Sequence, residues 1–341
     1  MGILDWFMNR PAQFDTGRVS ETMVRRATEK AIALTNPRLS VLSSCHARLA
    51  PAVSTTIRYL RAMVDALPAA KAVSPTAWSS DPALRAFFVA PSDIPAALGR
   101  SDNLRTLFDK YPLVDEACVL LGMALNERRG LGIALHGEIV RRDVVQTSVG
   151  FSDHRAHICA QDDSELRRLV GVQAFEYLLA QALSEIGEDR LERQELEGNR
   201  ALIRARLRLL RRQGPGLGSM FGAAPGDASE QAELQAKLLE NERQLEVIGD
   251  SQAALEMELE CLKEVLAHPA RYLRVEQKRL RMNTMNVLVE EGSADRAAEV
   301  DFSLAELTGA PPVRRAFILA RFCRADLPAR TINFDAAARY L

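Results

Sequence analysis

A heptad spacing of apolar residues from Leu234 to Leu266 constrains the fold of this chain more than any other feature. Leu234, Leu238, Asn241, Leu245, Ile248, Gln252, Leu255, Leu259, Leu262 and Leu266 follow one another in steps of three and four. That spacing draws one stripe along a helix and requires a partner to bury it. Upstream, Ser164 is placed to cap a second helix running through Leu169, Phe175, Leu178, Leu183 and Ile186 toward Arg212. Between the two, Gln213 to Asp227 contains five glycines and two prolines, a composition that cannot sustain helix. Folding back about this loop sets Leu207 against Leu238, Ile203 against Asn241 and Ile186 against Leu259. An antiparallel coiled-coil hairpin over 164–291, with its tip at 213–227, is therefore expected.

Charge supports this direction of folding in the tip half only. Arg200, Arg204, Arg208 and Arg211 fall beside Glu230, Glu233, Glu240 and Glu242, whereas Glu192 and Glu195 fall near Glu246. Exposed pairs contribute about 0.2–1 kcal/mol each, so they set orientation more than strength. Asp189, Arg193 and Arg200 oppose Leu255, Gln252 and Leu245, which leaves the apolar stripe incompletely covered. A further helix, from the N-terminal part or from a second subunit, is expected to complete it. Asn241 and Gln252 interrupt the stripe and are expected to set register or association state at some cost in stability.

The rest of the chain reads as an α+β body, predominantly α. Residues 1–130 form a helical N-terminal region: apolar residues recur at helical spacing from Ser20 to Leu67, broken at Pro37 and Pro51, and Asp81-Pro82 and Ser101 open shorter helices. The apolar stretch Val114–Arg128 reads as one more helix. Period-two alternation then begins at Ile133 to Ile139 and resumes at Val145 to Phe151, predicting an antiparallel meander over 131–163 with turns at Arg141-Arg142-Asp143 and Ser152–Arg155. Beyond Pro269 the helical pattern is expected to resume through Tyr272 and Leu288 to a stop at Gly292. A β-hairpin over 292–341, built on Val300–Leu304 and Phe317–Phe322, is expected to join the sheet.

With 47% hydrophobic residues in 341, the chain can bury a sizeable core. A formal net charge of -1 gives no global attraction to nucleic acid or anionic membrane. The five cysteines are scattered without a CxxC, as in a reducing cytoplasm. No apolar run is long enough to span a bilayer, and the N-terminus lacks a signal-peptide pattern. Residues 3–8 form a short apolar cluster expected to dock on the protein itself, with peripheral membrane contact as the alternative.

No motif for catalysis or for a cofactor stands out. Gly214-Pro215-Gly216-Leu217-Gly218 lacks the strand and the Gly-Lys-Ser/Thr ending of a phosphate loop. Cys45-His46 has no identified third group to orient a nucleophile–base pair. The expected role is protein–protein interaction, as a scaffold or by self-association. Its contacts are assigned to the apolar tip residues Leu217, Met220 and Phe221 and to the part-covered stripe at Leu245, Ile248 and Leu255. Two alternatives stand beside it. Arg200, Arg204, Arg208 and Arg211 form a face suited to nucleic-acid phosphates, and His154, His157 and Cys159 carry the donor types of a zinc site or an enzyme centre.

Overall fold

The structure, a computed structural model, describes residues 19–136, 139–213, 226–248, 251–289, 296–309 and 312–329. In chain order its elements are α1 Glu21–Thr35, α2 Cys45–Asp65, β1 Lys71–Ala72, α3 Pro75–Trp78, α4 Pro82–Phe87, α5 Asp93–Leu98, α6 Asp102–Lys110, β2 Glu116–His136 and β3 Ile139–Ala160. There follow α7 Asp163–Gln213, α8 Gly226–Ile248, α9 Ser251–Ala267, β4 Leu273–Met282, β5 Ala298–Leu307 and β6 Val313–Cys323. The chain divides into two compact units, one comprising Arg58–Phe175 and the chain from Ala270 onward, the other Gln13–Ile57 and Glu176–Pro269.

The first unit is built on a six-stranded sheet ordered β3-β2-β6-β5-β4, antiparallel throughout this path, with β1 parallel to the far end of β6. Ala117, Val119, Leu121 and Met123 of β2 and Ala316, Ile318, Ala320 and Phe322 of β6 face a core completed by Leu84, Phe87, Ile94, Leu98, Leu104 and Phe108 from α4, α5 and α6. Cys118 of β2 and Phe317 and Leu319 of β6 face the other way, against Val64 at the end of α2 and Leu166 and Val170 at the start of α7. Both faces of the central strands are thus buried. This explains why Val114–Arg128, expected as helix, is strand: apolar side chains on both faces erase the alternation that marks a strand in sequence.

Local chemistry fixes the helix starts. Asp81 accepts from the Ala83 amide at 2.8 Å and Ser101 Oγ from the Leu104 amide at 3.2 Å. At α7 the cap is Asp162 rather than Ser164: its carboxylate accepts from the Glu165 amide at 2.8 Å, while Glu165 accepts from the Gln161 amide at 3.1 Å. Pro51 does not break α2; in its second turn it removes only the bond that would run to Ala47. Arg324 stacks over Phe108 and donates to the carbonyls of Phe108, Tyr111 and Val114, closing the end of α6.

The second unit corrects the expected fold class. No long coiled-coil hairpin is evident among the described residues, and the β structure is a six-stranded sheet instead of a small meander. α7 is one helix of 51 residues, whereas the return path is divided between α8 and α9, and the chain beyond Pro269 enters β4. Of the heptad stripe, Leu234, Asn241, Leu259, Leu262 and Leu266 are buried, and the last three lie in the stretch of α9 that side chains of the N-terminal helices reach. Polar ties hold these helices together: Lys30 to Glu176 at 2.5 Å, Asn36 Nδ2 to Glu258 at 2.6 Å, and Arg48 forked onto Glu256 and Glu260 at 2.6 and 2.7 Å. Thr56 donates to the Leu266 carbonyl. The stripe requires burial but does not name its partner, and N-terminal helices supply it. Toward the other end, Arg204 pairs with Glu242 at 2.6 Å and Asn241 Nδ2 donates to the Leu196 carbonyl at 3.1 Å, but Gln252 is exposed and Leu238 and Leu255 are only half-buried.

Candidate protein-docking surface

The expected sheet turns at Arg141–Asp143 and Ser152–Arg155 are not turns. β3 runs straight through both, and each site absorbs an irregularity by placing an aspartate, Asp143 at φ 62° and Asp153 at φ 49°, in the left-handed region. Aspartate tolerates that conformation better than most residues, so a polar cluster read as a turn becomes a β-bulge. Arg155 Nε and Arg315 Nη2 donate to the Asp153 carboxylate at 2.8 and 2.7 Å, and both bonds hold its pKa below the ordinary carboxylate value.

Because β3 is continuous, β2 and β3 form one long ribbon. β2 pairs with β6 only as far as Met123 opposite Ala316, while its pairing with β3 continues to His136 opposite Ile139. The root is clamped. Asn286, at φ 57°, accepts from the Val149 amide at 2.8 Å and donates through Nδ2 to the Ala86 carbonyl at 3.0 Å. The Leu288 amide donates to the Thr147 carbonyl at 2.8 Å, and the Val289 amide to Arg281 at 2.9 Å, so the segment after β4 bridges the two edge strands of the sheet.

Past this clamp, no described strand other than its own partner pairs with either half of the ribbon. Leu131 and Val145 lie directly opposite each other across the two strands and are 69% and 70% exposed. Arg128, Arg129 and Glu127 are exposed beside them. The Gln146 side chain lies over Gly132, its Oε1 2.0 Å from where a Cβ would be, so a larger residue there would turn the glutamine aside. Sequence reasoning found strands at 133–139 and 145–151 but not the length of the ribbon or its free edge. Gly130 and Gly132 interrupt the run, and glycine weakens a strand, so nothing local marked the continuation.

The other candidate residues fall in different places. His154 is packed flat on Phe88, with ring centroids 4.4 Å apart, and its Nε2 lies 2.9 Å from the Phe87 carbonyl. Facing a carbonyl, that nitrogen carries the proton, and burial lowers the imidazole pKa so that the ring stays neutral. His157 is exposed, while the Cys159 thiol is pushed up to about 11 by burial and interacts with Ser101. A protonated thiol is neither a ready ligand nor a nucleophile. The structure does not bring the three side chains to one point, and among the described residues no group of three or more His, Cys, Asp or Glu converges as a metal site. Cys45 is buried with its pKa raised by desolvation, and His46 beside it is exposed.

Of the arginine face, Arg204 is engaged by Glu242 and Arg200 is half-buried; the side chains of Arg208 and Arg211 lie outside the described part. The same holds for the side chains of Leu245 and Ile248, and Leu217, Met220 and Phe221 lie outside the described residues altogether, as do residues 3–8. No helix among the described residues is long and apolar enough to cross a membrane. In comparisons with protein-family models, curated proteins and solved structures, nothing matches this chain.

Proposed function

We propose that this chain is a protein-interaction protein that holds an extended segment of a partner along the free edge of β2. One observation carries the reading: the β2–β3 ribbon continues in register well past its last contact with β6, with Leu131 and Val145 facing solvent. A two-stranded ribbon standing alone is marginal in water, and an exposed edge without proline is a template for a further strand. Strand addition draws affinity from main-chain hydrogen bonds and selectivity from every second side chain. The partner segment this edge suits is therefore extended, with apolar residues at alternate positions. Five free thiols, four of them with pKa raised chiefly by desolvation in Cys45, Cys118, Cys159 and Cys323, suit a reducing compartment, and the cytoplasm is the location this reading assigns.

The test places a photo-crosslinking residue at position 131 or 145 of the full chain in cells, with Val89, which is 92% exposed, as the control position. The expected result is a discrete protein adduct from 131 and 145 but not from 89. A nearby Arg129→Asp substitution is expected to weaken it, since one edge contact contributes about 1–3 kcal/mol. Equal adducts from all three positions, none, or a nucleic-acid adduct in place of a protein one would overturn the proposal.

A further inference from the structure

The main-chain bonds on the outer side of β3 fix which residues of β2 address its open edge. The Val149 amide donates to the Asn286 carbonyl and the Thr147 carbonyl accepts from the Leu288 amide, so at both residues β3 points away from β2. Bonding direction alternates along an antiparallel strand, and Ser148 between them therefore bonds Arg128 opposite it on β2. Glu127 and Arg129 lie opposite Val149 and Thr147, and Leu125 and Leu131 are two residues further on either side. The amides and carbonyls of these four residues point to the open edge. Their side chains share one face of the strand, the one that carries Met123 in the sheet's core. Leu125 packs half-buried against that core, Glu127 and Arg129 are exposed, and Leu131 is 69% exposed. Arg128 and Arg129 make no ion pair among the described residues. The field of Glu127 reaches Arg314, whose guanidinium Glu306 already holds at 2.7 Å.

Length and charge together identify the occupant. The register of β2 with β3 runs unbroken from Ala124 opposite Ser152 to Gly132 opposite Val144, with an irregularity at each end, and the midpoint of this straight stretch is Arg128. A two-fold axis through Arg128 sets residue i of one copy against j of the other and j against i. Glu127 then lies opposite Arg129, and Leu125 opposite Leu131, in both halves. All four fall in hydrogen-bonded pairs, because theirs are the main-chain groups that face outward. Opposite charges and apolar pairs across neighbouring strands both stabilise a sheet. Moving the axis to Arg129 opposes Arg129 to itself and Glu127 to Leu131, and moving it to Glu127 opposes two glutamates. Only the axis at the midpoint matches. Arg128 meets its own counterpart on the other face, where both are exposed and salt screens them. Beyond Gly132 of one copy the next position falls opposite Met123 of the other, which Ala316 already holds, and the irregularity there ends the straight stretch.

We infer that the segment held by the β2 edge is β2 of a second copy: residues 124–132 of the two chains pair antiparallel about Arg128 and join their sheets into one. This rests on the strand-docking reading proposed above and names the segment that the edge takes. The four outward-facing residues of each copy supply about eight main-chain hydrogen bonds across the junction, the source of affinity in strand addition. Leu131 of each copy covers Leu125 of the other, extending the core of the sheet.

Sedimentation of the full chain over a concentration series tests it, with Glu127→Arg and Arg129→Glu as variants. The native chain should form a concentration-dependent dimer. Each variant alone sets like charges opposite each other and should weaken the dimer about tenfold or more, with unchanged circular dichroism. Mixed in equal amounts, the two variants should dimerise again, because every charge on one then meets its opposite on the other. A native chain that stays monomeric, a single variant that dimerises as tightly as the native chain, or a mixture that stays monomeric would overturn the inference. A photo-crosslinking residue at position 131 separates it from the wider reading. An adduct of two chains supports the second copy, an adduct between a monomeric chain and a different protein overturns the second copy alone, and no adduct overturns both.

Discussion

His154 and Asn241 show opposite uses of a buried polar side chain. His154 meets a carbonyl and an aromatic face, so the folded chain holds it neutral, its pKa lowered below the ordinary 6.5 by burial in spite of the Phe87 carbonyl and the nearby Asp93. Between the folded and unfolded values the unfolded chain binds the additional proton. The contribution of His154 to stability is therefore intact above about pH 6.5 and is lost as pH falls through the folded value. His154→Phe, which leaves the Phe87 carbonyl without its donor, should cost about 1–2 kcal/mol at neutral pH and make the acid side of the stability profile shallower. Denaturant melts of both proteins across that pH range measure this, and an unaltered slope would contradict the assignment. Asn241 is buried with its Oδ1 lacking a hydrogen-bond partner while its Nδ2 reaches the Leu196 carbonyl. Asn241→Leu should raise stability by about 1–2 kcal/mol, and Gln252→Leu, at an exposed position, should change it little. Equal effects of the two in thermal melts would contradict the burial seen here. The sequence marked both amides as interruptions of one stripe, but spacing alone does not separate a buried interruption from an exposed one.

At the scale of elements, what the sequence shows is burial, and what it hides is the neighbour. The caps at Asp81 and Ser101 are legible because a cap is local, a side chain bonding an amide two or three residues on. β5 is legible from its alternation, and β6 from a short run of bulky apolar residues after Gly309-Ala310-Pro311-Pro312. β2 is not, because both its faces are covered over a stretch long enough to read as helix. β4 alternates charged and apolar residues closely enough to helical spacing that Tyr272 to Leu288 reads as helix until its pairing with β5 is seen. The ribbon edge, the candidate site, was missed for the same reason: pairing partners of a strand are not written in its own residues. Arg324 shows how such elements are joined, one guanidinium closing three carbonyls at the end of α6 and covering Phe108. Arg324→Ala should lower stability by about 2–4 kcal/mol, more than the loss of an exposed ion pair such as Arg314–Glu306 on β6 and β5. Parallel denaturation of Arg324→Ala and Arg314→Ala would contradict this by giving equal losses.

Over the whole molecule, each compact unit is assembled from stretches distant in the chain, and a linear pass along the sequence has no means of joining them. The helical unit takes α1 and the start of α2 from one end and α9 from beyond α7 and α8; the N-terminal helices reach α9 between Glu256 and Leu266, whereas at the level where a further helix was expected Gln252 is exposed and Leu255 half-buried. On the sheet unit, the part of β2 beyond Met123 pairs with no described strand other than β3. The interaction role proposed for the β2 edge is a reading of its own, since the glycine-rich loop and the side chains of Leu245 and Ile248 lie outside the described residues.

Amide hydrogen exchange of β2, read on the full chain alone and again with the protein crosslinked at Leu131, is the most direct measurement. In the free chain the amides between Ala124 and His136 that do not pair with β3 should exchange fast, because no other described strand covers that edge. On binding, those amides should slow by at least about tenfold while Ala117 to Met123, already held between β3 and β6, change little. An edge that exchanges equally fast with the partner bound, while protection appears elsewhere, would contradict docking along β2.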